Sequence, residues 1–197
     1  MDAKAVNWDD ARWLNPPTAA ERDGAALVVT PVAGADFWRQ TSYGFTRDTG
    51  SALLSELPLG AAVEVTFEAD FDTLYDQAGV FVRVDERTWV KAGVEVTDGE
   101  LHVGAVVTHG VSDWSIAPVP EWAGTPITVR VSRAGDALTI RARSADGPWR
   151  TIRLAPLSPD APAAAGPFCC SPEREGMRVR FTRFVVGPAD AGLHENP

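Results

Sequence analysis

The stretch WVKAGVEVTDGELHVGAVVT, Trp89–Thr108, decides the fold. Along Trp89–Thr97 the residues alternate. Val90, Ala92, Val94 and Val96 share one side of an extended chain, and Trp89, Lys91, Gly93 and Glu95 share the other. Asp98-Gly99 follows, a pair that tolerates the positive φ of a tight two-residue hairpin turn. The return strand, Glu100–Thr108, repeats the pattern with Leu101, Val103, Ala105 and Val107 on its apolar side. A hairpin with one apolar face must bury that face against a second layer.

Working outward, the chain offers further strands and almost no helix. Ala61–Asp70 alternates, with Val63, Val65 and Phe67 opposite Glu64, Thr66 and Glu68. Gly79–Val84 is apolar on both sides except at Arg83, as a central strand would be. Leu27–Thr30, Ile127–Ser132, Ala137–Ser144, Trp149–Leu154 and Met177–Val186 complete the set, with turns at Ala134-Gly135-Asp136 and Asp146-Gly147-Pro148. Turns roughly every 8–12 residues are the rhythm of a β-sandwich or jelly roll. Ala19–Gly24 reads as one helical turn, Pro156–Pro167 as a Pro/Ala-rich surface loop, and Gly187–Pro197 as a frayed end. The expectation is one all-β domain over 1–197, a jelly-roll sandwich of two antiparallel sheets. Its folded part covers about 8–187, with a tail over 188–197.

Composition narrows the function classes. The net charge of −9 speaks against nucleic acid and against an anionic membrane surface, both of which select clustered Lys and Arg. The opening residues MDAKAVNWDDARW hold no apolar run of a secretory signal, so a cytoplasmic protein is expected. Cys169 and Cys170 are adjacent, a spacing unsuited to a disulfide framework, and are expected as buried thiols. His102, His109 and His194 show no metal-ligand spacing, so neither metal nor cofactor is expected, and no nucleophile motif marks a catalytic residue. The sequence leaves oligomeric state open.

Two places could carry chemistry. Glu64-Val65-Thr66-Phe67-Glu68 puts two Glu on one side of a strand, as in the E-x-D-x-E strand of retaining jelly-roll glycosidases, where one Glu is nucleophile and the other acid/base. The central Asp of that pattern is Thr66 here, which supplies no charge. The stronger candidate is the polar side of the long hairpin, where Trp89, Lys91 and Glu95 flank a depression left by Gly93. Tyr75 and Gln77 enter a neighbouring strand, and His109 and Trp114 follow the return strand. Aromatic platforms ringed by polar groups suit sugar binding, because pyranose faces stack on rings while hydroxyls need directional partners.

Several blocks in order, Asp36-Phe37-Trp38-Arg39, Tyr43-Gly44, Tyr75-Asp76-Gln77-Ala78-Gly79-Val80, Trp89-Val90-Lys91-Ala92-Gly93-Val94-Glu95, and Val107-Thr108 with Ser112-Asp113-Trp114-Ser115, closely resemble one family. It is the family of unknown function 1349, regulation-of-enolase-like, in the concanavalin A-like lectin/glucanase superfamily. The resemblance runs from Trp13-Leu14-Asn15 to about Val186. It implies a jelly roll with one concave sheet, and no reaction. It also adds Trp38 to the candidate groove, giving Trp38, Tyr75, Gln77, Trp89, Lys91, Glu95, His109 and Trp114 as ligand-binding candidates. The expected function is a non-catalytic module binding a carbohydrate or a similar polyhydroxylated small molecule. One alternative is a glycoside hydrolase using Glu64 and Glu68 on the concave sheet, or a pair completed by Glu95. Another is a protein-interaction domain regulating a metabolic enzyme.

Overall fold

A computed structural model describes residues 2–195 and 197. Its strands in chain order are β1 (Lys4–Ala5), β2 (Arg12–Leu14), β3 (Ala19–Asp23), β4 (Ala26–Thr30), β5 (Phe37–Arg39), β6 (Thr46–Asp48), β7 (Ser51–Glu56), β8 (Ala61–Ala69) and β9 (Gln77–Arg83). They continue as β10 (Thr88–Thr97), β11 (Glu100–His109), β12 (Val111–Pro118), β13 (Ile127–Ala134), β14 (Ala137–Ser144), β15 (Arg150–Pro156), β16 (Ala164–Cys170) and β17 (Val179–Pro188). One sheet runs β15-β14-β13-β8-β17-β4-β3 with β1 also paired to β17, and the other runs β12-β11-β10-β9-β16-β7-β2. The paired strands of both sheets are antiparallel, and the two sheets form the expected sandwich. Among the described residues the sole helical turn is Pro120–Trp122, and no helix is long and apolar enough to cross a membrane.

The hairpin folds as its alternation requires. β10 and β11 pair through Val96↔Leu101, Val94↔Val103, Ala92↔Ala105 and Val90↔Val107, and all eight side chains enter the inter-sheet core. Asp98 (φ 52°) and Gly99 (φ 81°) make the turn with two left-handed residues. From the facing sheet, Val63, Val65, Phe67, Val129, Val131 and Ile140 close the core.

Three local expectations fail, each for a physical reason. Ala19–Asp23 is strand β3 rather than a helical turn, because β4 offers it a ladder from Ala19↔Thr30 to Asp23↔Ala26. The loop expected over Pro156–Pro167 ends early: Ala164–Cys170 is a strand at the middle of the second sheet. Its Gly and Pro disguise it, and its pairing with β7 is interrupted at Gly166 and Pro167, where a proline without N–H is tolerated. The chain end is not free after 187 either. Asp190 is buried between Arg130 and Arg141, with its Oδ1 2.8 Å from Arg130 Nε.

Candidate functional site

The outer face of the second sheet is built from the polar side of β10. In register across the strands, Lys91 lies beside Phe81 on β9 and Val106 on β11, and Val106 lies beside Trp114 on β12. Glu95 lies between Gln77 and His102. Between these two rows, Gly79, Gly93 and Gly104 stand side by side. A Cβ on Gly93 would meet the Ala78 carbonyl oxygen at 2.1 Å, and one on Gly79 the Ala92 oxygen at 2.0 Å. The glycines therefore permit close backbone approach and leave a hollow floor.

A short hairpin, β5–β6, arches over one end of this floor. Phe37 points down and stacks on Phe81, with ring centroids 4.1 Å apart. Trp89, Val106, Phe168 and Cys170 complete this second apolar cluster. Arg83 clamps the hairpin with a two-pronged ion pair to Asp48 at 2.7 and 2.8 Å, and the Ser112 hydroxyl accepts from the Arg39 backbone N–H at 3.0 Å.

A cavity of about 210 Å³ opens between the arch and the sheet. Its aromatic walls are Trp38, Tyr43, Phe45, Tyr75 and Trp114. Trp38 meets Tyr43 edge-on at 5.6 Å and Trp114 perpendicularly at 6.4 Å. The floor is polar. Lys91 Nζ donates to Gln77 Oε1 at 2.8 Å and to Asp36 Oδ1 at 3.1 Å, and Gln77 Nε2 donates to the same Asp36 oxygen at 3.2 Å. Burial alone would lower the Lys91 pKa, but the charges of Asp36 and Glu95 outweigh it and hold it above its ordinary value. Burial pushes Glu95 the other way, toward its neutral form, opposed by Lys91 and reinforced by Asp36.

The rim is rigid. Tyr75 adopts φ 63°, a left-handed conformation costly for an aromatic residue, held by its N–H donating to the Val96 carbonyl at 2.8 Å. Its hydroxyl meets that of Tyr43 at 3.5 Å, and this bond, together with burial and the nearby negative groups, raises the Tyr75 pKa to about 12. Asp76 is fully buried, faces away from the cavity and fixes the opposite rim. It pairs with Arg174 at 2.6 Å and accepts from Ser171, which anchors the loop carrying Pro172 and Glu173.

Of the residues singled out from the sequence, Trp38, Tyr75, Gln77, Lys91, Glu95 and Trp114 line this one cavity. Trp89 does not. It is on the expected side of β10 but 2% exposed, sealed beneath the hairpin against Phe37 and Phe81. His109 does not either. It shares the parity of Val107, points to the other side of β11, and its Nε2 lies 3.2 Å from the Pro156 carbonyl in the facing sheet. Glu64 and Glu68 also miss the concave sheet, because their strand β8 belongs to the opposite one. Glu64 is held there by Arg183 at 2.9 Å and Arg130 at 3.6 Å. Cys169 and Cys170 are free and buried, and burial pushes both thiols up.

Asp36, Tyr43, Phe45, Arg47, Pro172 and Glu173 complete the lining without having been among the ligand-binding candidates. Asp36 had a findable signal: a lysine on a strand face that is to be covered needs a counter-charge. That charge lies 55 residues upstream, where spacing gives no clue.

The chain is similar to several known proteins. The protein called Regulation of enolase protein 1 of Saccharomyces cerevisiae is 34% identical over 196 residues, 99% of this chain and 98% of that one. A crystal structure of a functionally unknown protein from Saccharomyces cerevisiae superposes with TM-score 0.87 at 34% identity, covering 95% of this chain and 100% of that chain. A mutant of the GH43 protein BlXynB from Bacillus licheniformis shares the fold alone, with TM-score 0.70 at 12% identity over 94% of this chain and 38% of that chain. Residues 13–189 match the family described as Protein of unknown function (DUF1349), and this chain belongs to that family.

Proposed function

We propose that the protein is a non-catalytic binding module whose concave-face cavity takes a carbohydrate or a similar polyhydroxylated small molecule. The observation that carries this is the convergence of five aromatic side chains over a hydrogen-bonded polar floor in one cavity of about 210 Å³. That volume is below the roughly 300–1,000 Å³ of pockets for drug-sized ligands, so the occupant is about one sugar ring. Trp114 is the exposed ring of the wall, at 38%, and offers a stacking face. Likeness to carbohydrate-active jelly-roll proteins supports the reading at the level of fold. Two adjacent buried thiols support a reducing compartment, the cytoplasm.

A thermal-shift screen against monosaccharides and sugar alcohols tests the reading. A ligand at 100 times its Kd adds about 2.7 kcal/mol of apparent stability, roughly 5–11 °C in Tm for a chain of this size. A shift with at least one sugar that is lost in Trp114→Ala supports it. No shift with any sugar at tens of millimolar overturns it.

A second reading draws on the yeast relative, whose name says that it regulates enolase. Here the domain would act on a metabolic enzyme through a surface. Co-purification of such an enzyme, unaffected by Trp114→Ala, would favour it over the first.

A further inference from the structure

The cavity's polar groups are unevenly spent. Two of the three Lys91 donors go to Asp36 and Gln77, and the Gln77 amide donates back to Asp36. The Trp38 indole N–H is taken by the Thr41 carbonyl at 2.9 Å. The Tyr43 and Tyr75 hydroxyls share one bond with each other. Arg47 lies across the Phe45 ring at the wall, its guanidinium carbon 4.7 Å from the centroid. One Lys91 N–H and the Arg47 guanidinium remain as donors, but the carboxylates of Asp36, Glu95 and Glu173 outnumber these two cations in the lining. Glu95 lines the cavity, and the influences on its carboxyl are burial and the charges of Lys91, Asp36 and His102, with no hydrogen bond among them. Glu173 adds a second carboxylate at the rim.

A site with spare carboxylate acceptors and aromatic faces selects donors and positive charge. A neutral hydroxyl gains nothing from that excess of negative charge. An ammonium brings three donors, no acceptor, and a charge attracted to ring faces. Lys91 acts on Glu95 through its charge but makes no hydrogen bond to it, its ammonium being bonded to Asp36 and Gln77.

Resting on the binding reading above, we infer that the ligand is an amino sugar, seated with its ammonium group on Glu95 and its ring against Trp114. The ring contributes the stacking and hydroxyl contacts that any sugar would make. The charged nitrogen sets the preference.

Calorimetric titration of the full chain at pH 7 with D-glucosamine, D-glucose, N-acetyl-D-glucosamine and choline tests this. Glucosamine is expected to bind at least tenfold more tightly than glucose or the N-acetylated sugar, which keeps the ring but loses the charge. Glu95→Gln is isosteric and is expected to abolish that preference. Glu173→Gln should shrink the preference less. Equal binding of glucosamine and glucose overturns the amino-sugar assignment and leaves the binding reading standing. Choline binding as tightly as glucosamine also overturns it, since choline has no N–H to give Glu95. A preference unchanged in both variants overturns it as well. Failure of all three sugars to bind removes the binding reading itself.

Discussion

Strand β10 buries most of both its faces, but by opposite means. Its inner side, Val90, Ala92, Val94 and Val96, is covered by apolar side chains of the facing sheet and needs nothing but shape. Its outer side carries Trp89, Lys91, Gly93 and Glu95, and is covered only where the β5–β6 hairpin lies across it. There Trp89 is buried, Lys91 is matched by Asp36 and Gln77, and Glu95 faces the cavity with no hydrogen bond among the described residues. Burial of the outer side increases along the strand toward the arch, and Glu95, at the other end, faces the cavity. On the proposed function, the outer face thus holds a structural half and a binding half within seven residues, Trp89–Glu95.

That division can be broken most severely at Trp89. Trp89→Ala should cost about 3–5 kcal/mol, the range for emptying a buried aromatic site, measured by denaturant unfolding. A loss under about 1 kcal/mol would mean that the hairpin does not seal the ring. Lys91→Met comes next. It leaves the Asp36 carboxylate in a largely desolvated site without its cation, where a broken buried pair costs roughly 3 kcal/mol. Replacing both partners, in Asp36→Leu with Lys91→Met, should recover much of that loss, since two matched apolar groups need no pairing. Additive losses in the double variant would show that the pair is not coupled.

Glu95 should behave in the reverse sense. Its folded-state pKa is raised, so the native state holds the proton more tightly than the unfolded chain does. Stability therefore falls as pH rises from the ordinary carboxylate pKa of 4.5 through the raised folded value. Glu95→Gln is expected to be more stable than the parent at pH 7, with the advantage vanishing below about pH 4. A gain of roughly 1 kcal/mol would show as a Tm increase of about 2–4 °C. A destabilised variant would mean that Glu95 is paired and belongs to the structural half.

The smallest effect is spectroscopic. Tyr43 and Tyr75 are the chain's only tyrosines, so in Tyr43→Phe tyrosinate absorbance reports on Tyr75 alone. Tyr75 should titrate near 12, and Tyr43→Phe should move it down toward 10 by removing the hydroxyl bond. An unchanged Tyr75 titration would show that the two hydroxyls do not meet at the rim.

The inner half was legible because period-2 alternation is a local property, and the Asp98-Gly99 turn fixes the register between β10 and β11. The same parity argument also places Lys91, Glu95 and, through Val106, Trp114 on the outer side. Followed one residue further it would have removed His109, which shares the parity of Val107. The arch was not legible. β5 and β6 have three residues each, too few to show a period, and their partners lie dozens of residues away. Without the arch there was no reason to separate Trp89, which it covers, from Glu95, which it leaves open. β16 was hidden for a different reason. AAGPFCC carries no β-branched residue, and its place between β9 and β7 comes from long-range pairing that overrides local propensity.

Whether the open half of the outer face binds a sugar while the sealed half only supports it is decided by one paired measurement. Sugar affinity and unfolding free energy are determined for Trp114→Ala beside the parent chain. The expected result is an affinity loss of at least tenfold, in the range of a lost base- or sugar-type stacking contact of about 1–3 kcal/mol, with unfolding free energy changed by less than about 1 kcal/mol. Undiminished affinity in a variant that folds normally would contradict it.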